Sequence, residues 1–198
     1  NTNIIINNLY IEQLTLGIIE KSKIKVIASS GHSFQIELVE KIGRDDIPKV
    51  IEVSEILAKK FGKKWLLGKN NINKYFNQDT LPFIARFRNE IIGYIIGVPL
   101  EYFKNESWAR IDVNLNKNNT LYTYAFVMKE KYRKKGGYAK TLKRIFLNWT
   151  KKQKQIEYIT GHVENGIHKN FSGHIEEVKV YEKWFDSKKP FIYYRRVL

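Results

Sequence analysis

The chain has 198 residues, 43% hydrophobic and 14% aromatic, enough for one domain or a domain with an extension, and wholesale disorder is excluded. It has no cysteine, which removes disulfide scaffolds, zinc ribbons and thiol catalysis and leaves a cytoplasmic location as the expectation. The net charge of +15, mostly from lysine, favours diffuse attraction to anions over the bidentate reading that arginine performs.

Residues 1–32 carry short apolar runs broken by polar ones, Ile4-Ile5-Ile6 and Ile24-Lys25-Val26-Ile27, and read as a β-rich extension. No secretory leader is visible there, and the lack of an initiator Met leaves open a start inside a longer chain. Phe34, Ile36 and Leu38 fall on one side of a strand predicted over Ser33–Glu40. Asp45-Asp46 then offers an N-cap, Pro48 lies in the first turn, and Val50, Val53, Leu57 and Phe61 share a helical face ahead of Gly62. A shorter helix is predicted over Ile72–Phe76. A hairpin follows, Leu81–Arg88 outward and Ile91–Ile96 back, with Asn89-Glu90 as the turn. The longest apolar run, Ile91–Leu100, is far short of the roughly 18 residues that span a bilayer, so no membrane partner is expected.

Residues 100–119 read as a long asparagine-rich excursion. Leu121–Met128 is predicted as a strand with Tyr122, Tyr124, Phe126 and Met128 on one side and Leu121, Thr123, Ala125 and Val127 on the other. A helix carries the stripe Ala139, Leu142, Ile145, Phe146 and Trp149, and a strand covers Ile156–Val163. Ile175, Val178, Tyr181 and Phe185 suggest a short helix, and Pro190–Leu198 a final strand. The order β-α-α-β-β-β-α-β-α-β is that of a mixed α/β domain.

Chemistry concentrates where the Leu121–Met128 strand meets the next helix. Eleven Lys or Arg lie between Lys129 and Lys154, opposed there by Glu130 alone. Within them, Arg133-Lys134-Lys135-Gly136-Gly137-Tyr138-Ala139 sets a glycine pair at the helix start, where free N–H groups and the helix dipole suit a phosphate or pyrophosphate. The P-loop and the Rossmann glycine pattern are both absent. His162, His168 and His174 are spaced by six, which matches no common zinc pattern, so no metal is expected.

The segment Phe126–Ala139 resembles the acyl-CoA-binding signature of the GNAT superfamily of N-acyltransferases, Arg/Gln-x-x-Gly-x-Gly/Ala after a strand and at a helix start. Two registers fit: Gly136 first keeps Arg133 but puts Tyr138 in the second small position, whereas Gly137 first keeps Ala139 but puts Lys134 in the Arg/Gln position. Leu81–Gly97, especially Glu90–Gly97, is similar to the family's second and third strands, Asp45–Phe61 to its first helix, and Val180-Tyr181-Glu182-Lys183-Trp184-Phe185 to its late tyrosine motif. The likeness covers residues 33–198.

The resemblance implies a central mixed, mostly antiparallel sheet flanked by helices, with residues 1–32 as extension and 33–198 as the acyltransferase domain. It implies acetyl-CoA as co-substrate, with Phe126, Val127 and Met128 along the pantetheine, Arg133, Lys134, Lys135, Gly136, Gly137, Tyr138 and Ala139 around the pyrophosphate, and Asn165 a further contact. Tyr181 matches the usual general acid, a phenol that is protonated at neutral pH. No acid stands on Leu121–Met128, so the base falls to His162, Glu164 or water. The implied activity is transfer of an acetyl group to a primary amine by direct attack. The acceptor class is open, and the positive field suits an acidic or small acceptor better than a polycation. Two other readings stay open: a nucleic-acid module built on the basic 129–154 segment, with Tyr124-Ala125-Phe126-Val127 matching part of an RNA-recognition strand, and a CoA-binding domain without turnover. The chain is expected as a monomer or homodimer.

Overall fold

The computed structural model describes residues 19–134 and 136–198; Ile4-Ile5-Ile6 and Lys135 lie outside the described residues. Eight strands form a single sheet in the order β1-β2-β3-β4-β5-β6-β8-β7, antiparallel throughout except where β5 meets β6. This is the mixed, mostly antiparallel architecture expected. β1 (Lys23–Ser30) and β2 (Phe34–Lys41) pair as a hairpin, and the expected boundary between residues 32 and 33 falls in its turn.

α1 (Ile47–Phe61) buries Val50, Val53 and Leu57 and ends at Gly62, whose φ of 101° is open to glycine. Asp46 precedes the helix but does not cap it through its side chain. Its carboxylate accepts from Arg86 Nη1 and Nη2 at 3.1 and 3.0 Å, while Arg86 Nε and Nη2 reach the fully buried Glu37 at 2.8 and 3.0 Å. One guanidinium thus bridges two buried carboxylates and ties α1 to two strands, with Lys49 a second cation on Asp46 at 3.3 Å.

α2 (Ile72–Tyr75) leads into β3 (Leu81–Phe87) and β4 (Glu90–Pro99). The hairpin turn is Arg88-Asn89 rather than Asn89-Glu90: both residues have positive φ, 46° and 66°, and Glu90 already pairs with Phe87. Such a two-residue turn matches the twist of the strands it joins. The 100–119 excursion carries α3 (Ser107–Arg110). Its buried Asp112 pins it to two residues near the C-terminus, accepting from Tyr193 Oη at 2.6 Å and Arg195 Nη2 at 2.8 Å.

β5 (Thr120–Met128) does not keep the alternation its sequence suggests. Ala125 pairs with Ile96 and Thr123 with Gly97, which leaves Tyr124 as an extra residue in a bulge. Parity flips across it, so Ala125 and Val127 pack on the α1 side with Tyr124, while Leu121 and Met128 share the opposite face.

α4 (Glu130–Arg133) and α5 (Tyr138–Lys151) follow, and Leu142 and Phe146 of α5 cover that opposite face. β6 (Tyr158–Glu164), β7 (Ile175–Tyr181) and β8 (Phe191–Val197) complete the sheet. The helix expected through Ile175–Phe185 is therefore the edge strand β7. Apolar residues at 175, 178 and 181 imitate a helical period, but β7 pairs with β8 and a bulge at Val178 breaks the two-residue alternation. Among the described residues no helix is long and apolar enough to cross a membrane.

Candidate active site

The site begins as a defect in strand pairing. β5 and β6 are parallel partners over Thr120↔Tyr158, Leu121↔Ile159 and Tyr122↔Thr160, and then they separate. Beyond that point β5 pairs only with β4, and β6 only with β8. The resulting wedge opens into a cleft of about 800 Å³. The Val127 carbonyl lies against Gly93 of β4, so the backbone groups of Phe126 and Met128 face the wedge. Arg133 Nε donates to the Met128 carbonyl at 3.0 Å. The Phe126 side chain is 39% exposed and lines the cleft.

The glycine pair lies in the chain between Arg133 and Ala139, both of which line this cleft. Gly136 and Gly137 both hold positive φ, 63° and 65°, and Gly137 precedes α5 with neither a side-chain cap nor an acidic residue in the first turn. A non-glycine residue would be strained at either position. Tyr138 turns away from the cleft and packs on Phe34 and Phe87, whereas Ala139 lines it. Lys134 precedes the loop. The cleft carries more positive than negative side chains, with Lys59, Lys60, Arg133, Lys143 and Arg196 against Glu130 and Glu164.

His162 sits where the wedge closes. Its ring stacks on Trp184 at 3.5 Å between centroids, and its Nδ1 is 2.9 Å from Tyr122 Oη. Nε2 is buried without a hydrogen-bond partner. Burial pushes the His162 pKa well below the usual histidine range and the Tyr122 phenol well above its own, so both groups are neutral at physiological pH. Tyr181 ends β7 with its ring 5.2 Å from His162, and burial raises its pKa as well. The structure thus brings His162 and Tyr181 together. Glu164 stands apart, paired with Lys189 at 2.6 Å on the cleft rim. Asn165 gives its backbone N–H to the Pro190 carbonyl at 2.9 Å.

A second cavity, about 310 Å³, opens on the α1 side. It is lined by aromatic rings, including Tyr75, Phe103 and Trp108, and it shares Trp65, Tyr122, Tyr124 and Trp184 with the cleft. Tyr124 is covered by Tyr75, stacked at 4.1 Å, and so is not a free platform for a base. Among the described residues no group of three His, Cys, Asp or Glu could hold a metal ion, and His168 is engaged with Glu177 at 2.5 Å.

Sequence reasoning missed Tyr122 as the partner of His162, because the two are 40 residues apart and nothing local links them. It also passed over Lys143, although a lysine four residues from both Ala139 and Leu147 on one helical line was a readable signal.

No protein-family model matches the sequence, and no curated protein matches it. Solved structures do resemble the fold. NAA60 of Arabidopsis thaliana, in complex with acetyl-CoA, is 13% identical with a TM-score of 0.60, over 84% of this chain and 100% of that one. The ribosomal-protein-S18-alanine N-acetyltransferase of Escherichia coli is 9% identical with a TM-score of 0.54, over 89% and 93%. An acetyltransferase of the GNAT family from Bacillus anthracis is 16% identical with a TM-score of 0.55, over 88% and 97%. At these identities the likeness is one of fold, and the chain has the GNAT fold that its motifs resembled.

Proposed function

We propose that this chain is an N-acetyltransferase that moves an acetyl group from acetyl-CoA to a primary amine by direct attack. The observation that carries the reading is the wedge between β5 and β6, with the Phe126 backbone unpaired by β6 on one wall and an uncapped, acid-free helix start whose Ala139 lines the cleft. An extended amide-bearing arm fits the first, and a pyrophosphate the second. The inward position of Ala139 and the outward turn of Tyr138 favour the register in which Gly137 is the first glycine and Lys134 replaces the Arg/Gln.

In this reading Phe126, Val127 and Met128 supply the strand edge along the donor arm. Arg133, Lys134, Lys135, Gly136, Gly137, Tyr138 and Ala139 form the anion loop, and Asn165 is a further contact to the donor arm. The amine approaches from the aromatic cavity, which meets the cleft at Tyr122 and Trp184. Its aromatic rings and the charges of Lys64 and Lys74, opposed by Glu106, lower the pKa of an entering ammonium, so less basicity is needed to free the nucleophile. His162, in the tautomer whose Nδ1–H donates to Tyr122 Oη and leaves the Nε2 lone pair free, is the proton acceptor; Glu164 is already committed to Lys189. Tyr181 protonates the leaving thiolate.

The test is release of free thiol from acetyl-CoA across a panel of amines, with Tyr181→Phe and His162→Phe as variants. Amine-dependent release by the unaltered chain is expected, together with at least about a tenfold loss of kcat and nearly unchanged donor affinity in Tyr181→Phe. Donor binding without release on any amine would make the chain a CoA-binding domain rather than an enzyme.

A further inference from the structure

Lys143 is a cation that the reading above leaves without a role. It stands on the cleft face of α5, one turn nearer the helix start than Phe146. Phe146 packs at the level of Gly97 and Leu121, so Lys143 lies about 4.5 Å along the axis from that level, beside the first unpaired residues of β5. Its ammonium is 3.4 Å from the centroid of the Phe171 ring, whose face is its one stabilising neighbour. Among the described residues no carboxylate forms an ion pair with it, and Glu164 of the same cleft is taken by Lys189. The charge that acts on it is another cation: Arg196 lies 5.5 Å from the same ring and donates from Nη1 to the Ser172 carbonyl at 2.5 Å.

We propose that Lys143 is acylated by the thioester donor held in its own cleft, an inference that rests on the acetyl-CoA reading above. Burial, with the charge of Arg196, pulls the Lys143 pKa down to about 8. A substantial share of its amine is then neutral near physiological pH, whereas an exposed lysine with a pKa of about 10.4 is almost wholly protonated. The neutral Nζ attacks the thioester carbonyl. As the C–N bond forms the C–S bond breaks, the electron pair leaves on the CoA sulfur, and the nitrogen gives up a proton to that thiolate or to water. The products are a neutral acetyl-lysine amide and free CoA. The amide is too stable to pass the acyl group on, so the step is not a relay. It removes one of two neighbouring cations and occupies wedge space, and so acts as a brake on further donor binding.

The experiment incubates the whole chain with acetyl-CoA and follows each lysine by peptide mass spectrometry, with a parallel thermal-unfolding measurement of donor binding. Lys143 is expected to be acetylated at least about tenfold faster than exposed Lys140 and Lys151 of the same helix. Excess free CoA should suppress the reaction, the urea-unfolded chain should lose the preference, and Lys143→Arg should lack the modified peptide while retaining the melting transition. If acetyl-CoA raises the melting temperature but Lys143 stays unmodified, or reacts no faster than Lys140, the proposal is overturned and the donor reading stands. Acetylation that free CoA fails to suppress also overturns it. Neither a melting shift nor acetylation would remove both.

Discussion

Between β2 and β3 five consecutive residue pairs hold register from Phe34↔Phe87 to Leu38↔Phe83, whereas β5 and β6 share three and then part. The first region is closed around charge that is already paired, with Arg86 between Glu37 and Asp46 and Lys49 also on Asp46. The second is open and carries groups whose needs are unmet: Nε2 of His162, the Tyr181 hydroxyl and Lys143 without a counter-ion. The contrast separates frame from site. Where the chain spends its polar groups on itself it builds a scaffold, and where it leaves them unspent it is prepared for a ligand.

Three substitutions sharpen that contrast, in order of expected effect. Arg86→Leu leaves the fully buried Glu37 without a counter-charge and Asp46 with only the partly exposed Lys49 at 3.3 Å, and should cost about 3–5 kcal/mol in chemical denaturation. A loss below about 1 kcal/mol would mean that the frame does not depend on this network. Ala139→Glu places a carboxylate at the start of α5, which suits the helix dipole but repels an incoming phosphate. Acetyl-CoA affinity measured by calorimetry should fall by more than about tenfold, with stability altered by no more than about 1 kcal/mol. Unchanged affinity would remove the helix start from the donor site.

The third concerns pH. Burial depresses the folded-state pKa of His162, so below about pH 6.5 the unfolded chain binds a proton that the folded chain does not. Stability is therefore full above that pH and falls as pH drops toward the folded value, by up to about 1.4 kcal/mol per unit. His162→Phe should flatten the slope between about pH 6.5 and 5 in denaturation series, whatever its own stability. An unchanged slope would show that another group carries it.

Much of the frame was legible in the sequence. The period of Val50, Val53, Leu57 and Phe61 and the alternation of Phe34, Ile36 and Leu38 are local signals, and they named α1 and β2. The glycine pair after a buried strand gave the helix start. Two bulges defeated the rest. The extra residue at Tyr124 reversed the faces of β5, and the one at Val178 helped a strand to look like a helix; the residue that bulges is not a glycine in either strand. The His162–Tyr122 contact and the Lys143–Phe171–Arg196 group depend on strands that meet only through the sheet order, which no local pattern encodes.

The central claim is that the wedge receives a CoA thioester, and thermal unfolding tests it most directly, with acetyl-CoA, free CoA and an RNA oligomer at low and moderate salt. A ligand at about 100 times its dissociation constant adds about 2.7 kcal/mol, equivalent to roughly 5–10 °C for a chain of this size. The account predicts such a shift with both CoA species, largely retained at moderate salt. No shift with either, beside a salt-sensitive shift with RNA, would contradict it and give the function to the basic 129–154 segment instead.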